Sequence, residues 1–191
     1  FGNAVHSINC FNIIGEDLLI TGAGPIGLIS VAICKFIKAK NIVITDINDY
    51  RLNLAKQLGA TKTINTKKDS IKNCFDELNI KHGFDVGLEM SGNGQAFNEM
   101  LSSIYHGGKI VLLGLLPKST CIDWDNIIFK GLQVRGVYGR EMYETWYKMD
   151  QLIKSGLDLS KVITHKFSIS SFDEAFKVIS SGQCGKVIME W

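Results

Sequence analysis

The sequence predicts an α/β fold: a doubly wound, mainly parallel sheet with helices on both faces. Three observations predict it. Strand-like runs alternate with helix-like patterns from "DLLIT" (17–21) to "LQVRGVYG" (132–139), the rhythm of strand–crossover–strand units. The strands are short unbroken apolar runs, as required when helices cover both faces. The first strand runs directly into a glycine-rich turn, "TGAGPIG" (21–27), and then into an apolar helix.

The elements follow in order. The first helix is expected over 25–38, with Pro25 at its opening, where the missing N–H would have no partner anyway. "NIVIT" (41–45) is the second strand. It leads to a helix over 48–59, where Leu52, Leu54, Ala55 and Leu58 share a face and Gly59 follows the last turn. "KTIN" (62–65) is a short strand before a helix over 68–79. "FDVGLEM" (84–90) precedes a helix from Gln95 to Ile104, and "GKIVLLG" (108–114) is the cleanest strand. A short helix near 125–130 leads to the sixth strand, "LQVRGVYG" (132–139).

The rhythm changes after Arg140. The reading places a dinucleotide-binding domain at 1–140 and a return segment at 141–191. The return segment holds an aromatic-rich helix ending at Gly156, a strand in "VITHKFSI", a Ser-capped helix in "SFDEAFKVISSG" and a last strand in "GKVIMEW".

Composition narrows the function classes. Of 191 residues, 46% are apolar and the formal net charge is +2. No basic stripe suits nucleic acid, no polybasic tail suits a membrane surface, and no apolar run reaches spanning length. No signal peptide is visible, and the chain opens on Phe1 without a methionine, which sets the expectation of a fragment or processed chain. Cys10, Cys34, Cys74, Cys121 and Cys184 are scattered without CxxC spacing. They read as reduced, buried or partly buried thiols of a cytoplasmic protein.

Gly22, Gly24 and Gly27 form G-x-G-x-x-G between a strand and a helix, the setting that gives this pattern meaning. Gly22 permits the tight turn, Gly24 lets backbone approach a pyrophosphate, and Gly27 lets helix and strand pack closely. The helix start then offers free N–H groups and a positive dipole end to the anion. Asp46 closes the second strand, where the fingerprint expects an acid for the ribose hydroxyls and against a 2′-phosphate. NAD is therefore favoured over NADP. Asp46 could alternatively cap the next helix. Arg51 could lie over the adenine, pair with Asp46, or simply be solvated. A methyltransferase with a related glycine loop is the mechanical competitor.

Ligands of open α/β sheets sit at the carboxyl ends of the strands. That rule nominates "EMSG" (89–92), "LGL" (113–115) and "GVYG" (136–139), each of which could also be an ordinary turn. Catalytic groups are missing. His6, His82, His106 and His165 have no second His, Cys or Glu at ligand spacing, and no nucleophile elbow or Tyr-x-x-x-Lys helix is present. His82 and His106 read as solvated residues of glycine-flanked turns. The chain reads as holding a cofactor without a catalyst.

With these residues in view, the sequence resembles the zinc-dependent medium-chain dehydrogenases along essentially all 191 residues. The stretches that carry the resemblance include "FGNAVH" (1–6), "LITGAGPIG", "VITDINDYRL", "FDVGLEMSG" and "GVYGREMYETWYKM". The run "GREMYETWYKM" is more discriminating than the glycine loop, and is similar to the branch that oxidises the 3-hydroxyl of L-threonine. The resemblance implies a Rossmann domain inserted into a zinc-carrying, GroES-like catalytic domain, with residues 141–191 returning to it. It implies that zinc ligands and an acidic proton-relay residue lie upstream of Phe1, so no metal or catalytic residue is assigned here. It implies NAD contacts at Ile26, Asp46, Arg51, Leu113, Gly114, Leu115, Val137 and Tyr138, beside Gly22, Gly24 and Gly27. It implies L-threonine as substrate, 2-amino-3-oxobutanoate as product and a homotetramer, with the sixth strand as the edge that pairs across a dimer. Two alternatives stay open: a sister polyol or secondary-alcohol dehydrogenase, and a free-standing NAD-binding regulatory module.

Overall fold

Leu18, Leu19 and Ile20 of β1 (Asp17–Thr21) are fully buried, and the sheet is built outward from them. Leu18 and Ile20 point into one apolar cluster and Leu19 into another on the opposite face. Ile42, Val43 and Ile44 of β2 (Asn41–Asp46) alternate in the same way. Strict alternation with both sides apolar produces the unbroken hydrophobic runs seen in the sequence. Each such side chain contributes about 1.5–3 kcal/mol by burial.

The computed structural model describes residues 1–191. Six parallel strands form one sheet in the order β3-β2-β1-β4-β5-β6. The remaining members are β3 (Lys62–Asn65), β4 (Phe84–Glu89), β5 (Ile104–Leu112) and β6 (Gln133–Gly136). The chain reverses its direction of travel across the sheet between β1 and β4, which makes their carboxyl ends the switch point. Helices α1 (Gly2–Ile8), α2 (Pro25–Phe36) and α3 (Asp49–Gln57) cover one face. The other face carries α4 (Cys74–Leu78) and α5 (Gly94–Ser103). Between β5 and β6 lies α6 (Trp124–Phe129), and α7 (Glu144–Lys154) packs against α1. Met149 and Leu152 of α7 lean on the first cluster. A separate parallel pair, β7 (Ile163–Ser168) and β8 (Lys186–Glu190), is joined by α8 (Phe172–Ser181).

Gly2–Ile8, to which the sequence reading assigned no element, is helical: Ala4, Val5 and Ile8 are buried, although no side chain caps the first turn. Several expectations need correction. The helix expected over 68–79 is a 3-10 turn at Ile71–Asn73 followed by the short α4. β5 starts at Ile104, so His106 is an exposed strand residue and not a turn residue. Ser171 occupies the N-cap of α8 without a cap hydrogen bond, while Ser168 receives the amide of Ser170 one turn earlier. The N-cap of α3 is Asn48, whose Oδ1 accepts from the Arg51 amide at 3.2 Å. Cys121 is exposed, unlike the other thiols.

Candidate functional site

The glycine turn is set by three different constraints. Gly22 has φ +89°, a conformation that L side chains rarely adopt. A Cβ on Gly27 would collide with the Gly22 carbonyl oxygen, so helix and turn meet backbone to backbone. A Cβ on Gly24 would meet nothing within 4 Å. That open volume lies at the start of α2, where Gly24 is the N-cap, Pro25 opens the helix and no side chain caps it. The first-turn amides of Ile26 and Gly27 therefore keep their hydrogen-bonding capacity at the positive end of the helix. This is a cradle for an anion, with space where the anion would lie.

Asp46 ends β2 beside that cradle. Its Oδ2 accepts from the Ala23 amide at 2.6 Å, and its Oδ1 accepts from the amides of Ile47 at 2.7 Å and Asn48 at 2.9 Å. The carboxylate thus clips the glycine turn to the end of β2 and retains lone pairs for hydroxyl donors. Arg51 forms no ion pair with Asp46, which removes that alternative. Its Nε is buried and has no partner. Gly22, Gly24, Asp46 and Arg51 line one cavity of about 520 Å³, together with Met90, Ser91 and neighbouring polar residues. A slightly larger hollow, about 590 Å³, lies along α5 near Cys121 and shares Gln95 and Glu99 with that cavity.

The remaining expected residues follow the same rim without lining that cavity. The amides of Leu113 and Gly114 both donate to the Glu89 carbonyl at 3.1 Å, and Leu115 is 90% exposed. Val137 is buried and its amide donates to the Leu112 carbonyl at 2.8 Å, whereas Tyr138 is 97% exposed. The loop beyond it is fixed from below: His6 Nδ1 donates to the Gly139 carbonyl oxygen at 3.2 Å. Among all residues, no three His, Cys, Asp or Glu side chains come together as a metal site.

A family model described as zinc-binding dehydrogenase matches residues 25–155, more than half of the sequence. The chain belongs to the zinc-binding dehydrogenase family. It is 58% identical, over 191 residues, to an L-threonine 3-dehydrogenase of Chromobacterium violaceum, matching 100% of this chain and 56% of that protein. An L-threonine 3-dehydrogenase of Burkholderia thailandensis is 54% identical with the same coverage. The chain thus spans a little over half the length of these relatives. Among solved structures, an Escherichia coli protein described as a short chain alcohol dehydrogenase complexed with NADH superimposes with a TM-score of 0.88. It is 25% identical and covers 100% of this chain and 57% of its own. A 2R,3R-butanediol dehydrogenase of Bacillus subtilis gives a TM-score of 0.88 at 22% identity, covering 100% and 55% of the two chains. That likeness is one of fold.

This zinc-binding dehydrogenase chain also places residues at the site that its sequence did not single out. Thr66 and Lys67 border the cavity from the end of β3. Met90 and Ser91 do so from the "EMSG" stretch, which strand-end reasoning nominated without choosing residues. Glu89 stands at the end of β4, fully buried. Its Oε1 receives the Thr21 hydroxyl at 3.3 Å, the Ser91 amide at 2.9 Å, the Gly92 amide at 3.0 Å and the Ser91 hydroxyl. The only signal for it in the sequence was an acid at a strand end, the same signal that pointed to Asp46.

Proposed function

We propose that this chain is the NAD-binding half of an L-threonine 3-dehydrogenase, which oxidises L-threonine to 2-amino-3-oxobutanoate. The observation that carries this reading is the uncapped start of α2, open at Gly24 and lining one cavity beside Asp46. The two threonine dehydrogenase relatives, 58% and 54% identical across the whole chain, support the choice of substrate. Bound NAD would supply the hydride acceptor, and zinc, for which these residues offer no ligand set, would supply Lewis-acid polarisation of the substrate hydroxyl.

The chain's own residues hold and orient. Gly24, Ile26 and Gly27 receive the pyrophosphate through backbone amides, Gly22 shapes the turn while its own amide is held by the Thr45 carbonyl, and Asp46 accepts the adenosine ribose hydroxyls. Arg51 flanks the adenine. Leu113, Gly114, Leu115, Val137 and Tyr138 carry the nicotinamide half along the rim. No helix is long and apolar enough to cross a membrane, and we place the enzyme in the cytoplasm. Residues 1–140 form the cofactor domain, and 141–191 return to the zinc-carrying domain. The assembly we propose is a homotetramer that pairs through the exposed edge of β6.

Calorimetric titration with NAD and with NADP tests the cofactor. Selective NAD binding is expected, and equal binding of both would overturn the role of Asp46. A substrate panel on the full-length enzyme then separates threonine from polyols and secondary alcohols. A preference for a polyol would make this a sister dehydrogenase. Cofactor binding with no dehydrogenase activity on any alcohol would make it a regulatory module.

A further inference from the structure

Glu89 links three backbone segments at the switch point. Its Oε1 collects donors from β1 through Thr21 and from the turn after β4 through Ser91 and Gly92. Its main-chain carbonyl collects the amides of Leu113 and Gly114, in the turn after β5. Its Oε2 is buried and has no partner. That oxygen lies against Gly114, because a Cβ built on Gly114 would collide with it and with the Gly92 amide nitrogen.

The chemistry is unusual for a residue that only fills space. Burying a carboxyl oxygen without a donor is unfavourable, and an apolar side chain would fill the same volume without it. The two turns that Glu89 joins are those flanking the site. Ser91 borders the cavity beside Asp46, and Leu113–Leu115 lies on the rim beyond it. Oε1 pulls the first turn in by hydrogen bonds. Oε2 limits the approach of the second by contact.

We propose that Glu89 is a positioning residue for the dinucleotide: it sets the spacing between the turn beside the adenosine half and the turn under the nicotinamide half. The inference rests on the NAD-binding reading above and goes beyond it: Glu89 is fully buried and acts through the two turns it joins. Its two roles, bonding one turn and stopping the other, predict an effect on the whole dinucleotide that a half-ligand does not feel.

The test uses the full-length enzyme and the variants Glu89→Gln, Glu89→Ala and Ser91→Ala. NADH affinity, AMP affinity, the melting temperature without cofactor, and KM for NAD against kcat are read for each. Glu89→Ala is expected to weaken NADH binding about tenfold and to change AMP binding less than about twofold, with KM rising while kcat is nearly kept. Glu89→Gln keeps an acceptor at the Oε1 position and is expected to restore NADH affinity to within about threefold of wild type. Wild-type NADH affinity in a folded Glu89→Ala enzyme overturns the inference, as does an equal loss of NADH and AMP. Should Glu89→Ala fail to fold, Ser91→Ala decides: about threefold weaker NADH binding supports the role, and unchanged binding refutes it. A wild-type enzyme that binds no NADH sinks the functional reading instead, which keeps the two failures apart.

Discussion

Gly24 and Gly27 sit three residues apart and are glycines for opposite reasons. Space is open around Gly24, whereas a side chain at Gly27 would strike the Gly22 carbonyl. Gly24→Val is therefore expected to keep the native melting temperature and lose NAD binding, because its side chain fills the cradle. Normal NAD affinity in that variant would count against the loop. Asp46 behaves differently, since its carboxylate already serves three backbone amides. Asp46→Gly removes both the proposed ribose acceptor and the clip that holds the glycine turn. NAD affinity is expected to fall about tenfold or more and discrimination against NADP to relax, both read by titration. Asp46 was legible from sequence because its position relative to the glycine loop is fixed by the unit itself. Glu89 was not, because its meaning depends on Thr21, Ser91 and Gly114, which only the folded sheet brings together.

At the scale of elements, the strands were the most legible part. Leu18 through Ile20 and Ile42 through Ile44 read as buried strands because both faces of the sheet are apolar. The helix at Gly2–Ile8 was hidden. It is short, has no side-chain cap, and owes its stability to Ala4, Val5 and Ile8 packing on the core. The short α4 was overextended because its N-terminal portion tightens into a 3-10 turn, a distinction that side-chain periodicity does not make. β6 is the exposed edge of the sheet, with all four residues accessible and Trp124, Ile128 and Phe129 of α6 exposed nearby. An accessible edge of this kind pairs with another strand unless something blocks it. If the proposed tetramer forms through this edge, Val134→Lys on β6 is expected to shift the full-length protein toward smaller species, checked by sedimentation. An unchanged tetramer would place the interface elsewhere.

For the whole molecule, the five free thiols report on the packing. Burial raises the Cys34 thiol well above its ordinary range and pushes the Cys74 thiol up to about 11. Cys10 is raised as well, again mainly by burial. A raised thiol pKa means less thiolate at neutral pH, so these groups stay unreactive until the solution approaches the shifted value or the fold opens. Cys121 is exposed. Alkylation near pH 8 is expected to modify Cys121 rapidly in the native chain, and all five cysteines after denaturation. Rapid native labelling of Cys34 or Cys74 would show that the two apolar clusters are not packed as described.

The sheet order also has a consequence for how the molecule comes together. β1 and β2 are separated by one helix, but Leu18 meets its other neighbour, Val86, only after two further strands and their helices. Closing long loops is slow, and non-local strand pairing dominates folding times. A ribosome that has not yet released Phe84 holds a chain whose central strand has one side unpaired. The switch point is thus completed only once β4 has been made, while β7 and β8 pair with each other within a short span. During synthesis that unpaired edge of β1 is open to wrong pairing, and it is the same edge that β4 later covers beside the cavity.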